Sequence, residues 1–282
     1  MGTLNKLGLF KSILASFWKL QKYKVRGNKK FENIHRGETC YIFGNGASLK
    51  YYDFEVIPDD IPVITCAFGL FDKRLKTKNI KYYITSDSYS LYPVVYNDYV
   101  DKIQKNPLNK IFRKLIRDNT KITFFTSITN SFGFFPKPLN LAYWHHFGQR
   151  DSSSFDISNK FSTCTCALDM MIGLARYLGF KKAIILGCDY LTTPKMEGHF
   201  YASSIPVFGK DDDEYVHRVN KSVGDLETIV ICPNGVTSKV FKTISFENHF
   251  GKKEFYQTNT EIIHPTELKE LNNAANANLI FI

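Results

Sequence analysis

Nowhere in the 282 residues does an uncharged apolar run reach the roughly 18–20 residues that a membrane span needs. The longest uncharged stretch, 122–136, is interrupted by Ser, Thr, Asn and Gly, so the chain is not read as an integral membrane protein. Six cysteines (Cys40, Cys66, Cys164, Cys166, Cys188, Cys232) include no CxxC pair, so a zinc site of the usual spacing is not expected. Most lie in apolar runs and read as buried thiols in a reducing cytoplasm, with Cys164-x-Cys166 as a redox pair the alternative. Acidic residues are nearly missing from the first 36 positions, where nine Lys/Arg face Glu32 alone. The rest holds 28 basic and 26 acidic residues, so most of the net +10 belongs to the N-terminus. A nucleic-acid surface spread over the body is therefore not expected. No internal repeat or low-complexity tract is present.

What the chain does have is core material: 44% hydrophobic residues, with Phe 24 and Tyr 16. Near the start, Leu7, Phe10, Leu14, Phe17 and Trp18 recur at helical spacing among Lys6, Lys11, Lys19 and Lys22. Such a basic amphipathic helix, residues 4–20, lies on an anionic membrane surface or packs on the domain. Its lysines interrupt any signal-peptide core, and Lys6 stands where a myristoylation motif has Ser or Thr. Residues 21–38 read as a polar, basic linker, giving an N-terminal unit (1–36) and a single domain (37–282).

From Thr39 onward, short β-branched and aromatic runs alternate with helical ones. Strands are expected at 40–43, 62–66, 80–85, 121–126, 182–188 and 228–232, and helices at 165–178 and 211–223. Continuous apolar strands in this order imply an α/β, Rossmann-like fold: a mostly parallel sheet with helices on both faces and a small lid around 190–225. The tail from about Phe255 is polar and reads as a peripheral cap. Ligands of such sheets bind at the carboxyl ends of strands, near a switch in strand order.

Five segments sit at such ends. Gly44-Asn45-Gly46-Ala47-Ser48-Leu49 follows the first strand; its glycines permit close backbone approach, Asn45 and Ser48 offer hydrogen bonds, and amides at the next helix start suit a phosphate. It is neither GxGxxG nor a P-loop. Ser86 and Asp87 end the third strand, where a carboxylate can bind ribose, a sugar or magnesium, or cap a helix. Lys160, Ser162 and Thr163 lead into the helix at 165 and suit a phosphate or simple capping. Asp189 lies just past a buried strand, where an ionised group needs a partner, a metal or a ligand. His199 and Tyr201 follow it, the first a candidate general base and the second a donor to a departing phosphate. Asn234, in Cys-Pro-Asn-Gly after the last strand, is a turn residue or a base contact. His217 is the rival base. The pair His145-His146, after Tyr-Trp, looks like a strand edge without chemistry.

The order GNGxSL, Ser/Thr-rich helix start, long helix ending in Leu178-Gly179, strand ending Gly187-x-Asp189, aromatic loop with Tyr201, then Cys-Pro-Asn resembles the bacterial family 42 sialyltransferases. The HFY triplet 199–201 is also similar to the MptE-like group, which includes 6-hydroxymethylpterin diphosphokinases. The resemblance covers about residues 39–240. It implies a cytoplasmic enzyme, peripheral at the inner membrane face, moving sialic acid or a related nonulosonic acid from a CMP-type donor to a lipopolysaccharide or capsule acceptor, with inversion and without a metal or other cofactor. By that resemblance Asn45 lies at the donor phosphate, Ser162 and Thr163 hold donor groups, Lys160 stands near a family arginine, Tyr201 meets the leaving phosphate and Asn234 lines the nucleotide pocket. Ala67, Ser86 and Leu191 depart from the family pattern of two asparagines and a first lid tyrosine. The alternatives are a Mg²⁺-dependent diphosphokinase using Asp87 and Asp189, and a degenerate nucleotide-sugar-binding protein.

Overall fold

In the first strand, β1 (Thr39–Phe43), side chains alternate between the two faces of a sheet. Tyr41 and Phe43 enter one apolar core, and Cys40 and Ile42 enter the other. The same double burial recurs along its neighbours, which explains why these segments read as unbroken apolar runs. The computed structural model describes residues 23–85, 90–97, 102–144, 155–159, 166–211 and 213–276.

The further strands are β2 (Val63–Cys66), β3 (Ile80–Ile84), β4 (Val94–Asn97), β5 (Lys102–Lys105), β6 (Thr123–Ser127), β7 (Leu141–Trp144), β8 (Lys182–Leu186), β9 (Lys195–Glu197), β10 (Val207–Gly209), β11 (Glu227–Cys232) and β12 (Lys242–Ser245). Eight of them form one sheet in the order β12-β11-β8-β1-β2-β3-β6-β7, and every neighbouring pair is parallel. The fold is the α/β, Rossmann-like one expected. The pairs β4–β5 and β9–β10 are separate antiparallel hairpins. The chain first builds outward from β1 to β7, then returns to lay β8 on the other side of β1. The strand order therefore reverses between β1 and β8, and their carboxyl ends frame the switch point.

One face is covered by the helix Pro107–Asp118, whose Leu108, Ile111, Phe112, Leu115 and Ile116 are buried at i, i+3 and i+4 spacing. The helices Asn259–Ile262 and Pro265–Asn276 share that core through Ile262, Leu271 and Ala274. The C-terminal region is thus not a peripheral cap; its apolar positions are few but fully enclosed. The other face is covered by the helix Ala167–Tyr177, buried along most of its length, and by the helix Asp213–Val223 through Val216, Val219 and Val223.

Residues 23–38 pack on the sheet rather than running free as a linker. Val25 is fully buried, the Asn28 amide donates to the carbonyls of Tyr143 (2.6 Å) and Ile157 (2.8 Å), and His35 stacks on Phe180. The amphipathic segment 4–20 and the pair His145-His146 lie outside the described residues. No helix among the described residues is long and apolar enough to cross a membrane.

Candidate functional site

The carboxyl ends of β1 and β8 approach so closely that both need glycine. The Gly44 amide donates to the Leu186 carbonyl (2.9 Å) and the Gly46 amide to the Gly187 carbonyl (2.7 Å). A Cβ on Gly46 would stand 2.5 Å from Asp189 Oδ2 and 2.7 Å from the Gly187 oxygen. Gly46 itself has φ −64° and ψ 156°, angles open to any residue, so crowding alone dictates the glycine.

After Gly46 the chain makes a 3₁₀ turn, Ala47–Tyr51, where a ligand-binding helix start was expected. Asp189 explains it. Its carboxylate, almost fully buried, accepts the Ser48 amide at 2.9 Å and so caps the turn. Burial raises the Asp189 carboxyl to about 6, against the opposing pull of Ser48 and the Ala47 amide. The amides of Gly44, Gly46 and Ser48 are therefore spent on protein partners and do not face a phosphate. Asp189 is a clamp on the GNG loop, and Ser48 lies fully buried behind that loop.

Two further contacts seat the next segment on the same loop. Gly46 and His199 form an antiparallel bridge, and the Phe200 amide donates to the Asn45 carbonyl (3.0 Å). Buried Lys50 donates to the carbonyls of Ala202 (2.7 Å) and Ser204 (2.9 Å). Its burial lowers the lysine pKa.

A cleft of about 220 Å³ opens at this switch point. Gly44, Asn45, Gly46, Gly187 and Cys188 line its floor; Cys66, His199, Tyr190 and Tyr215 stand around it, with the first turn of the Ala167 helix. Asn45 Nδ2 makes only long contacts to the Cys66 carbonyl (3.5 Å) and Sγ (3.4 Å). Its Oδ1 is buried with no partner among the described residues, and so is Nδ1 of His199. Buried polar atoms are nearly always paired, so two orphans on one cleft wall mark a place made for a ligand. Burial lowers the His199 pKa, with the Asn45 carbonyl pulling partly the other way, and the imidazole is neutral at pH 7.

Tyr215 donates its hydroxyl to Cys166 Sγ at 2.7 Å, and its ring meets that of Tyr190 at 5.8 Å. Burial is the main force raising the Cys166 thiol, to about 11. Burial likewise raises Cys188 well above the usual value, so these thiols are not nucleophiles. Lys195 holds its ammonium 5.1 Å over the Tyr190 ring, one residue back from the cleft.

Of the residues singled out in the sequence, Gly44, Asn45, Gly46 and His199 meet at the cleft. Tyr201 does not line it. Its ring packs on Phe68 and Phe200 and stacks on His199 (4.9 Å), because the chain turns directly after His199, the Ala202 amide donating to the His199 carbonyl (3.0 Å). His217 is exposed, two positions from Tyr215 and hence about 200° around the helix, on the far side. Asn234 caps an exposed turn instead, its amide on Glu247 (2.9 Å) and its backbone N–H on Glu254 (3.1 Å). Ser86, Asp87, Lys160, Ser162 and Thr163 lie outside the described residues, though Cys166, which lines the cleft, follows the last three. Sequence reasoning missed Tyr190, Tyr215 and Lys195. Tyr190 alone carried a signal, its place beside Asp189.

No family model matches the chain, and no curated protein does. Among solved structures it is similar to the sialyltransferase CstII from Campylobacter jejuni in complex with the substrate analogue cytidine-5'-monophosphate. That alignment has 14% identity and a TM-score of 0.44, and covers 85% of this chain and 98% of that one. A complex of CST-II with a trisaccharide acceptor and CMP aligns at 16% identity and a TM-score of 0.39, over 84% and 99% of the two chains. The likeness is one of general fold.

Proposed function

We propose that the chain is a glycosyltransferase that uses a nucleotide-activated sugar, with the donor's phosphate end in the cleft between Asn45 and the start of the Ala167 helix. The observation that carries this reading is the pair of orphaned polar atoms on two residues that line one cleft at the switch point of a parallel sheet: Asn45 Oδ1, an acceptor for a ligand hydroxyl, and His199 Nδ1. The loop amides are occupied, so the phosphate charge falls to the first-turn amides of the helix, to Lys195 and to the Tyr190 and Tyr215 rim. A CMP-type donor and an acceptor on a surface glycan follow from the motif order alone.

His199 is the general base of this reading. Its neutral imidazole takes the proton of an acceptor hydroxyl as that oxygen attacks the anomeric carbon. The bond from that carbon to the phosphate oxygen breaks, and its electron pair leaves with the nucleotide. One displacement inverts the anomeric centre. Ionic stabilisation comes from protein groups, so turnover is expected with EDTA present. The diphosphokinase alternative needs Asp87 and Asp189 on magnesium. Asp189 does not fit, because its carboxylate is buried and engaged by the Ser48 amide.

The test is release of CMP from a CMP-sugar by the full chain in EDTA, with and without an acceptor glycan. His199→Gln should cut kcat by roughly 10²–10⁴, the usual worth of a general base, with little change in KM. Absence of binding by any nucleotide or nucleotide sugar in calorimetry would sink the proposal.

A further inference from the structure

At the β7 edge of the sheet, four strands from β1 and so about 19 Å from the cleft, the connection from β6 to β7 carries large apolar side chains into solvent. Phe132 is 56% exposed, Phe135 90% and Leu139 102%. A single exposed apolar residue is ordinary, but three within eight positions of one loop concentrate apolar surface at this edge. Lysines gather on the same side. Lys24 holds its ammonium 4.2 Å over the Phe132 ring, and Lys137 holds its own 4.6 Å over Tyr143. Crowding by surrounding protein, then repulsion from Lys30 and Lys24, lowers the Lys137 pKa, which places Lys137 within reach of both charges. Among the described residues neither Lys24 nor Lys137 has an ion-pair partner.

We infer that this face, Phe132, Phe135 and Leu139 with Lys24, Lys30 and Lys137, docks on an anionic lipid bilayer. A protein partner would supply carboxylates to individual lysines, whereas a bilayer surface supplies diffuse negative charge above an apolar interior, and the patch offers the matching pair of layers. The chain that enters this face at Tyr23 points the same way. Its first 22 residues hold four lysines, no acid and an apolar stripe at helical spacing. One hydrophobic element with a polybasic cluster gives reversible attachment, which suits an enzyme that leaves its site free.

The experiment is co-sedimentation of the full chain with vesicles of phosphatidylcholine alone and of phosphatidylcholine with about a third phosphatidylglycerol. Binding is expected to the anionic vesicles, weakened by 0.5 M salt as exposed charges are screened. Phe135→Ser with Leu139→Ser, and separately Lys30→Glu with Lys137→Glu, should each lower vesicle binding at least tenfold while leaving the thermal midpoint unchanged. Phe135→Trp should show a blue-shifted emission when anionic vesicles are added. Binding by the serine and glutamate variants equal to the native chain would assign attachment to the first 22 residues and overturn the inference. Lipid-free dimerisation abolished by Phe135→Ser would also overturn it, by making the face a contact between two copies.

Discussion

Replacing Asp189 by Asn should become more favourable to stability as pH rises. Burial lifts the carboxyl from 3.8 in the unfolded chain to about 6 in the fold. A raised folded pKa means that the native state holds its proton more tightly, so the group's contribution is fully present below about pH 4 and is lost as pH rises through 6. At 1.36 kcal/mol per pH unit, the ionised form at pH 7 costs about 3 kcal/mol relative to the protonated one. Asn keeps an oxygen for the Ser48 amide and carries no charge. The difference in unfolding free energy between Asp189→Asn and the native chain should therefore move by about 2–3 kcal/mol in favour of the variant between pH 4 and pH 7. Urea unfolding at a series of pH values measures it, and taking the difference cancels every other titrating group. A flat difference would show that Asp189 is solvated or paired with a cation, and the clamp described above would be wrong.

Gly46→Ala should cost about 1–3 kcal/mol in thermal or urea unfolding, since the new methyl group collides with Asp189 and the Gly187 carbonyl. Gly235→Ala, with open space around it and φ +78°, should cost about 1–2 kcal/mol from backbone strain and leave nucleotide binding unchanged. Asn45→Ala should weaken nucleotide binding about tenfold by calorimetry, the worth of one hydrogen bond, whereas Asn234→Ala should leave it within twofold. His217→Ala should keep kcat within twofold, and the pH profile of kcat/KM should fall only below the ordinary histidine value, as the His199 pKa is lowered. An acid limb above pH 7 would remove His199 from the role of base.

The parallel sheet was legible because strands buried on both faces are apolar along their length, as in Cys40–Phe43 and, after Lys182, the rest of β8 to Leu186. The switch point was legible too, since glycines appear where β1 and β8 crowd each other. The helix Pro107–Asp118 was readable in principle: its apolar residues keep helical spacing without a break, after a proline at the first position. The buried C-terminal helices were harder, because Leu271 and Ala274 are enclosed by what surrounds them rather than by any apolar stripe of their own. Side-chain direction was beyond a one-dimensional reading. Tyr201 and His199 are two positions apart and share a motif, yet one turns into the core and the other to the cleft. Asn234 ends a sheet strand as Asn45 does, but Glu247 and Glu254 lie beside it and take up its donors. Tyr215 reaches the cleft from a helix distant in sequence, which no local pattern announces.

A crystal of the full chain grown with CMP tests the central claim most directly. The account expects the nucleotide phosphate within hydrogen-bond distance of Asn45 Nδ2 and the first-turn amides of the Ala167 helix, with His199 facing the side where the sugar would attach. Nucleotide density away from the β1–β8 switch point, with Asn45 and His199 still unpartnered, would contradict it.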